Sequence, residues 1–480
     1  MLPNISQDRL TILHTNDLHS HFGAMGRISA IIEQERTSIG AAPVLLLDIG
    51  DHMDRAAVET EGTGGQCNVD VLNLTGYDAI TIGNNEGLTL TPDMLEQAYA
   101  GLSCPVICTN IVEKATGQPP IWMQRHAIIE RGGFTIGLIG ATAAFADFYQ
   151  LLGWDALAPI PAIEAEVAFL RPKVDLVVVM SHLGLALDKE LAEKVPGIDL
   201  ILGGHTHHLL QQPLFVQGTA VAAAEKFGHY VGKVDVIRDP HTGKAVVSGG
   251  ICLSVEEGEH DPEVDHAIAI HLEHAKERLA RSVAVMSEEL DIDYTEESSL
   301  GNLLAQSVRR FTGAEVSLVN SGQLLGPLPK GEISEGLLHA LCPSPINPCV
   351  MKLSGEDLLY TLEESLIPEI SQKSIHGYGF RGKILGSICV DGMEVLYDTN
   401  RMAYDRIIQA SIQGKPILPG EQYRVGTLDM FTFGIGYRRL QNGRDKTFML
   451  PEFLRDLLRL ELQTPGAWET SKYPRWHKKM

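Results

Sequence analysis

The sequence predicts an α/β protein of more than one domain, and three observations carry that prediction. Continuous apolar runs of strand length alternate with segments of helical spacing along residues 10–210. The chain has 480 residues, more than one core of ordinary size holds. The apolar runs also stop abruptly in Asp, His and Asn, the residue types that bind ligands at strand ends.

Residues 10–21 (LTILHTNDLHSH) form the first of these runs. A strand that stops at D-x-H brings Asp17 and His19 to its carboxyl end, where open α/β sheets bind ligands. An oxygen and an imidazole nitrogen there suit a Zn, Mn or Fe class cation. A single D-x-H is a weak signal, because Asp and His punctuate many loops; the partners decide it.

Residues 26–36 space Ile28, Ile31 and Ile32 as a helix does, and 44–48 is a buried-strand run ending in D-I-G-D, with Asp51 at the same edge. Residues 59–66 are Gly- and Thr-rich and read as a loop before a short helix at 69–76. The next strand, 79–82, ends in G-N-N-E with Asn84. A helix at 93–100, a strand at 105–109 and a hairpin pairing 127–131 with 134–139 follow. After a helix at 161–170, the strongly apolar strand 174–180 delivers His182; a helix at 187–195 and a strand at 198–202 deliver His205 and His207. Five strand ends thus carry oxygen and imidazole ligands, the set two adjacent cations sharing a carboxylate require.

Residues 259–282 read as one long, mostly solvated helix separating a first domain, 1–258, from a second, 283–480. In the second, 299–312 is an amphipathic helix with Leu300, Leu303, Leu304 and Val308 on one face. Residues 315–320 form a strand and 355–366 a helix, and His477, Lys478 and Lys479 sit in a frayed polar tail.

With 44% hydrophobic and 21% charged residues the chain is globular. A net charge of -22 excludes a broad grip on a nucleic-acid polymer or an anionic membrane. Residues 1–9 show no export signal, no apolar run spans a bilayer, and seven scattered cysteines do not make a disulfide framework, so the cytoplasm is the expected compartment. No obligate protein partner is evident.

The motifs HTNDLHSH, LLLDIGD, YDAITIGNNE, TIGLIGAT, VDLVVVMSHLG and IDLILGGHTHHLL resemble, in order and spacing, those of the calcineurin-type metallophosphoesterases. More narrowly the chain resembles a cytoplasmic branch of the bacterial 5'-nucleotidase family. The resemblance implies a four-layer α/β-β/α sandwich followed by a separate α+β C-terminal domain that binds substrate; strand patterns alone do not separate that sandwich from a single doubly wound sheet. It implies one divalent ion on Asp17, His19, Asp51 and His207 and a second on Asp51, Asn84, His182 and His205. The implied chemistry is attack on phosphorus by a metal-bridging hydroxide.

One position departs from the pattern. The family places G-N-H-E followed closely by Asp, whose His stabilises the transition state or protonates the leaving oxygen; this chain has Asn85 in place of that His and Leu88 in place of its Asp. Asn85 is the candidate catalytic residue there, yet an amide donates a hydrogen bond without giving up a proton, and general acid help is worth about 10²- to 10⁴-fold. His21, His52 and His208 stand beside the ligand motifs as substitutes. In the C-terminal half, Phe380 and either Phe431 or Phe433 are candidate rings to stack on a base, and Arg381 is a candidate substrate-binding residue that supplies a charge missing from the family pattern. Leu325 replaces the family Arg after N-G-G-G-I, and Ile435 replaces the Asp of G-G-D-G-Y.

The expected function is hydrolysis of a phosphomonoester of a nucleotide or related small metabolite with two divalent ions. The alternatives are cleavage of a phosphodiester or pyrophosphate linkage, and metal and nucleotide binding without turnover.

Overall fold

The computed structural model describes residues 9–479, so the reading of the first residues as lacking an export signal lies almost wholly outside the described residues. The chain divides into two compact units, residues 1–275 and 276–480.

In the first unit, one sheet runs in the order Ala245–Ser254, Tyr230–Arg238, Arg9–Thr15, Val44–Asp48, Ala79–Ile80, Val106–Ile107, Met123–Gln124. Its last five strands are parallel. The other runs Leu214–Val216, Thr219–Ala222, Leu200–Gly203, Leu176–His182, Phe134–Thr142, His126–Arg131, parallel at its centre.

Alternation along each strand decides how the layers stack. Leu10, Ile12, Leu45 and Leu47 of the first sheet meet Ile136, Leu138, Leu176 and Val178 of the second in one core. Ile139, Val177, Val179 and Ile201 point the other way and pack with Ile163, Val167 and Leu170 of helix Pro159–Leu170 and Leu191 of helix Leu185–Lys194. On the first sheet, Leu13 and Leu46 point outward and are also fully buried. The parallel crossover through helix Met25–Ile39, which buries Ile28 and Ile32, covers that outer face, because the inner one is taken by the other sheet. The result is the four-layer sandwich.

Several elements differ from the sequence reading. Residues 59–63 of the stretch read as loop belong to helix Val58–Thr63, which ends where Gly64 and Gly65 both take left-handed backbone. Strands expected over 79–82 and 105–109 shorten to two residues each. The helix expected to separate two domains, Pro262–Leu279, lies mostly within the first unit. Its Val264 and Ala275 are fully buried, Gly62 sits so close to Ala275 that a Cβ would approach its Cα to 2.5 Å, and His271 bonds Asp70 at 2.7 Å.

The second unit is α+β. A five-stranded sheet runs Ile388–Asp391, Val316–Asn320, Gln422–Leu428, Pro348–Ser354, Arg444–Phe448, and helix Ser299–Thr312 buries Leu300, Leu303, Leu304 and Val308 in its core. The tail is ordered and not frayed: Trp476–Lys478 pairs in parallel with Met393–Tyr397, because Arg475 binds Asp391 and the 476 amide donates to Glu297. All seven cysteines are free thiols, and no helix among the described residues is long and apolar enough to cross a membrane.

Candidate active site

The parallel strands of both sheets in the first unit end at one edge, and the chain turns sharply there. Asp17, His19, Ser20, Asp51, His205 and His207 all adopt left-handed backbone, with φ between 46° and 71°, a conformation that costs non-glycine residues of order 1 kcal/mol or more and concentrates at functional sites. The turns after the first two strands hold each other by main-chain bonds: Asp17 N to Gly50 O (3.0 Å), His19 N to Asp51 O (2.8 Å) and Ser20 N to His52 O (2.9 Å). The third strand end closes on the second only because Gly83 has no side chain; a Cβ there would lie 2.0 Å from Asp51 Oδ1.

Six of the seven predicted ligands converge by close contacts. Ligand atoms of Asp17, His19 and His207 lie within 4.8 Å of one another, as do those of Asp17, Asp51 and His182. His19 Nε2 is 3.3 Å from His207 Nε2, His207 Nε2 is 3.4 Å from Asp17 Oδ1, and His182 Nε2 is 3.4 Å from Asp51 Oδ2. The His205 ring centre lies 5.3 Å from that of His182, and the His205 amide donates to Asp17 Oδ2 at 3.0 Å. Asn84, the seventh, opens helix Asn84–Thr89 directly after Gly83.

The donor set fits divalent cations. His182 donates its Nδ1 hydrogen to Ile49 O at 2.8 Å, which turns Nε2 toward the two carboxylates, where its lone pair becomes available once an ion displaces the Nε2 proton. His182 Nε2 and Asn84 Oδ1 are both buried and without a hydrogen-bond partner, the state of a ligand atom reserved for an ion. Electrostatics agree. Burial works against a charged His182, but the Asp51 and Asp17 carboxylates outweigh it and push the imidazole up to about 10. Two buried acids thus demand positive charge. Burial together with the His182 charge holds His205 down to about 4, keeping it neutral as a ligand must be.

A supporting shell that the sequence reading missed fixes these groups. The Glu86 carboxylate accepts three main-chain hydrogens, from Asp51 N (3.0 Å), Gly83 N (2.8 Å) and Met53 N (2.7 Å), and so ties the second strand end to the third. Asn16 Nδ2 donates to Asp17 Oδ2 at 2.8 Å. The ring of Phe227 stacks on His21 at 3.8 Å and meets His19 edge-on at 5.8 Å. An acid inside an otherwise buried strand-end turn was the available signal for Glu86.

Of the proposed replacement acids, His21 lies exposed on Phe227 with Nδ1 tied to main-chain carbonyls, His52 is buried against Asn68, and His208 is exposed beside Thr206. Asn85 points its amide at His19, Nδ2 lying 2.9 Å from Nδ1, while its main-chain N donates to Asp51 Oδ1 at 2.7 Å.

Within the second unit, two of the proposed stacking rings are core residues instead. Phe431 is 0% exposed and packs edge-on to Tyr437 at 6.0 Å, and Phe380 is 4% exposed in the same core. Neither offers a face to a ligand in this conformation. The sequence cannot tell rings that fill a core from rings that leave it. Phe433 is 45% exposed, its ring centre 5.9 Å from that of Tyr378, which is 56% exposed. Arg381 is half-buried, its main-chain N donating to Ser344 Oγ at 3.1 Å.

Comparison with known proteins agrees with this geometry. The profile of the calcineurin-like phosphoesterases matches residues 10–209, and that of the 5'-nucleotidase C-terminal domain matches residues 279–440. The chain is 36% identical to the uncharacterized metallophosphoesterase YunD of Bacillus subtilis over 95% of its own length and 99% of that protein's. It is 24% identical to rat 5'-nucleotidase over 85% of this chain and 79% of the relative. Among solved structures, the NAD nucleotidase of Haemophilus influenzae shares the fold with a TM-score of 0.70 and 16% identity, covering 98% of this chain and 99% of its own. A putative 5'-nucleotidase of Staphylococcus aureus does so at 0.68 and 17%, covering 98% and 100%. A strand-end edge built of carboxylates and imidazoles, and 36% identity over nearly the full length of a metallophosphoesterase, lead to one conclusion: the chain belongs to the calcineurin-like metallophosphoesterases that carry a 5'-nucleotidase C-terminal domain, a family of metal-dependent phosphoester hydrolases.

Proposed function

We propose that the chain hydrolyses a phosphomonoester of a nucleotide or a related small phosphorylated metabolite. The observation that carries the reading is the strand-end cluster in which Asp17 and Asp51 stand among His19, His182, His205 and His207, with His182 Nε2 and Asn84 Oδ1 left without partners. Asp17, His19, Asp51 and His207 would hold one divalent ion of the Mn, Zn or Fe class and Asp51, Asn84, His182 and His205 the other. Such a pair supplies positive charge to the phosphate oxygens and makes water acidic enough to attack phosphorus at neutral pH. The chain's own groups set the geometry. Ile49 O orients His182, the 205 amide and Asn16 orient Asp17, and the 85 amide orients Asp51. A nucleotide substrate is supported by the 5'-nucleotidase-type second domain and by the similarity to rat 5'-nucleotidase, with Phe433 and Arg381 as the groups offered to base and phosphate.

A second reading, cleavage of a pyrophosphate or diester linkage, is favoured by one observation. Asn85 stands where relatives keep a proton donor, and its amide is engaged with His19. The phosphate leaving group of a pyrophosphate linkage departs as an anion without help, whereas the sugar alkoxide of a monoester or a cyclic diester needs a proton, so within this reading the observation favours the pyrophosphate linkage. Initial rates on a panel of nucleoside monophosphates, nucleoside diphosphates, dinucleotides and cyclic nucleotides with Mn²⁺ separate the two. Preferred release of phosphate from monophosphates supports the first, and activity confined to anhydrides or diesters overturns it in favour of the second.

A further inference from the structure

Asn85 is placed by three bonds that concern the proposed metal ligands and not a substrate. Its main-chain N donates to Asp51 Oδ1 at 2.7 Å, its side-chain Nδ2 reaches His19 Nδ1 at 2.9 Å, and its Oδ1 accepts from Asn84 Nδ2 at 3.4 Å. The same His19 nitrogen has the Asp54 carboxylate at 3.7 Å. An Nε2 that ligates an ion requires Nδ1 to carry the hydrogen, which the Asp54 carboxylate on that side favours; the amide, whose oxygen and nitrogen exchange places by a half-turn, then presents Oδ1 to Nδ1 and gives up the bond from Asn84 Nδ2. The opposite nitrogen, Nε2, is then a bare lone pair 3.3 Å from His207 Nε2 and 3.9 Å from Asp17 Oδ1, where the triad of ligand atoms lies. An imidazole that ligates through one nitrogen is fixed in tautomer and orientation by what the other touches.

We propose that Asn85 is a positioning residue for the metal centre: its amide accepts from His19 Nδ1, presents His19 Nε2 as a ligand, and thereby governs how tightly the ion at Asp17, His19 and His207 is held. This rests on the two-ion reading above and assigns Asn85 to ion retention in place of proton transfer. It also explains why the residue sits beside His19 with no acid partner of its own. Leu88, one helical turn along in Asn84–Thr89, cannot orient a proton donor.

Calorimetric titration of the metal-free protein with Mn²⁺ alone tests it, with electron paramagnetic resonance to follow each ion. Wild type is expected to bind two ions. Asn85→Leu, of similar volume and no acceptor, is expected to weaken one of them about 10- to 100-fold and leave the other unchanged. Asn85→Asp, which keeps an acceptor at the same distance, is expected to restore wild-type affinity or better. Should Asn85→Leu fold poorly, Asn85→Ala read beside Asn85→Asp decides the same question. Two ions bound by Asn85→Leu as tightly as by wild type, with only turnover reduced, would overturn the inference and leave the proposed function standing. Wild type that binds no Mn²⁺ would overturn both.

Discussion

Replacing Glu86 by Ala should unbolt the metal edge, and the structure sets the size of the effect. The carboxylate is buried, 1% exposed, and accepts from the main-chain nitrogens of Asp51, Met53 and Gly83 at 2.7 to 3.0 Å. Truncation leaves three buried donors unpaired, each worth about 1–3 kcal/mol. Water entering the vacated space recovers part of this, so the expected loss is near the lower end, about 3–4 kcal/mol. For a unit of this size each kcal/mol lowers the melting temperature by roughly 2–4 °C. Glu86→Ala should therefore melt roughly 6–16 °C below wild type in differential scanning calorimetry of the metal-free protein. Glu86→Gln retains one acceptor oxygen, which serves Asp51 and Gly83 together, and should lose about a third to half as much. Because Asp51 hangs on one of these bonds, Mn²⁺ affinity should fall with stability in both variants. A Glu86→Ala protein that melts within 2 °C of wild type (roughly 1 kcal/mol) and binds metal as well would refute the reasoning.

Other outcomes follow from the same geometry. Phe431→Ala empties a fully buried site and should cost about 3–5 kcal/mol, visible as a lowered midpoint in urea. Phe433→Ala should leave that midpoint nearly unchanged and instead raise KM for a nucleotide by an amount equivalent to about 1–3 kcal/mol, if its ring stacks on the base. Burial pushes the Asp429 carboxyl from 3.8 up to about 7. A folded pKa raised this way stabilises the protein fully below pH 3.8, and the contribution is lost as pH rises through about 7. Asp429→Asn should therefore remove up to about 1.4 kcal/mol per pH unit of decline across that window, read as a shallower fall of melting temperature with pH. Chelation should lower the melting temperature of metal-loaded protein, since an ion at one hundred times its Kd stabilises by about 2.7 kcal/mol.

The proposed ligands were legible because each stands where an apolar run breaks off. Asp17, Asp51 and His205 each follow, and His182 closes, a strand whose burial is nearly complete, so a polar residue at the end of the run has one edge to occupy. What the sequence left open depended on three-dimensional contact. Two stacked sheets and one continuous sheet give the same strand pattern, and only the meeting of Leu10 and Ile12 with Leu138 and Val178 distinguishes them. Helix Val58–Thr63 was hidden in a Gly- and Thr-rich stretch whose local preference is against it, overridden by packing of Gly62 on Ala275. Phe380, Phe431 and Phe433 look alike in sequence and differ only in what encloses them. Glu86 was visible as a letter, but its three main-chain partners come from two strand ends thirty-odd residues apart.

The most direct test of a two-ion phosphoester hydrolase is phosphate release measured against Mn²⁺ bound per chain, for wild type beside Asp51→Asn. Asp51 is the carboxylate nearest His182 and accepts the 85 amide, and it is the one proposed to be shared. Turnover should appear only as the second ion binds, and Asp51→Asn should lose an ion together with nearly all activity. Full turnover with one ion bound, or an Asp51→Asn protein that hydrolyses the same substrate at the wild-type rate, would contradict the account.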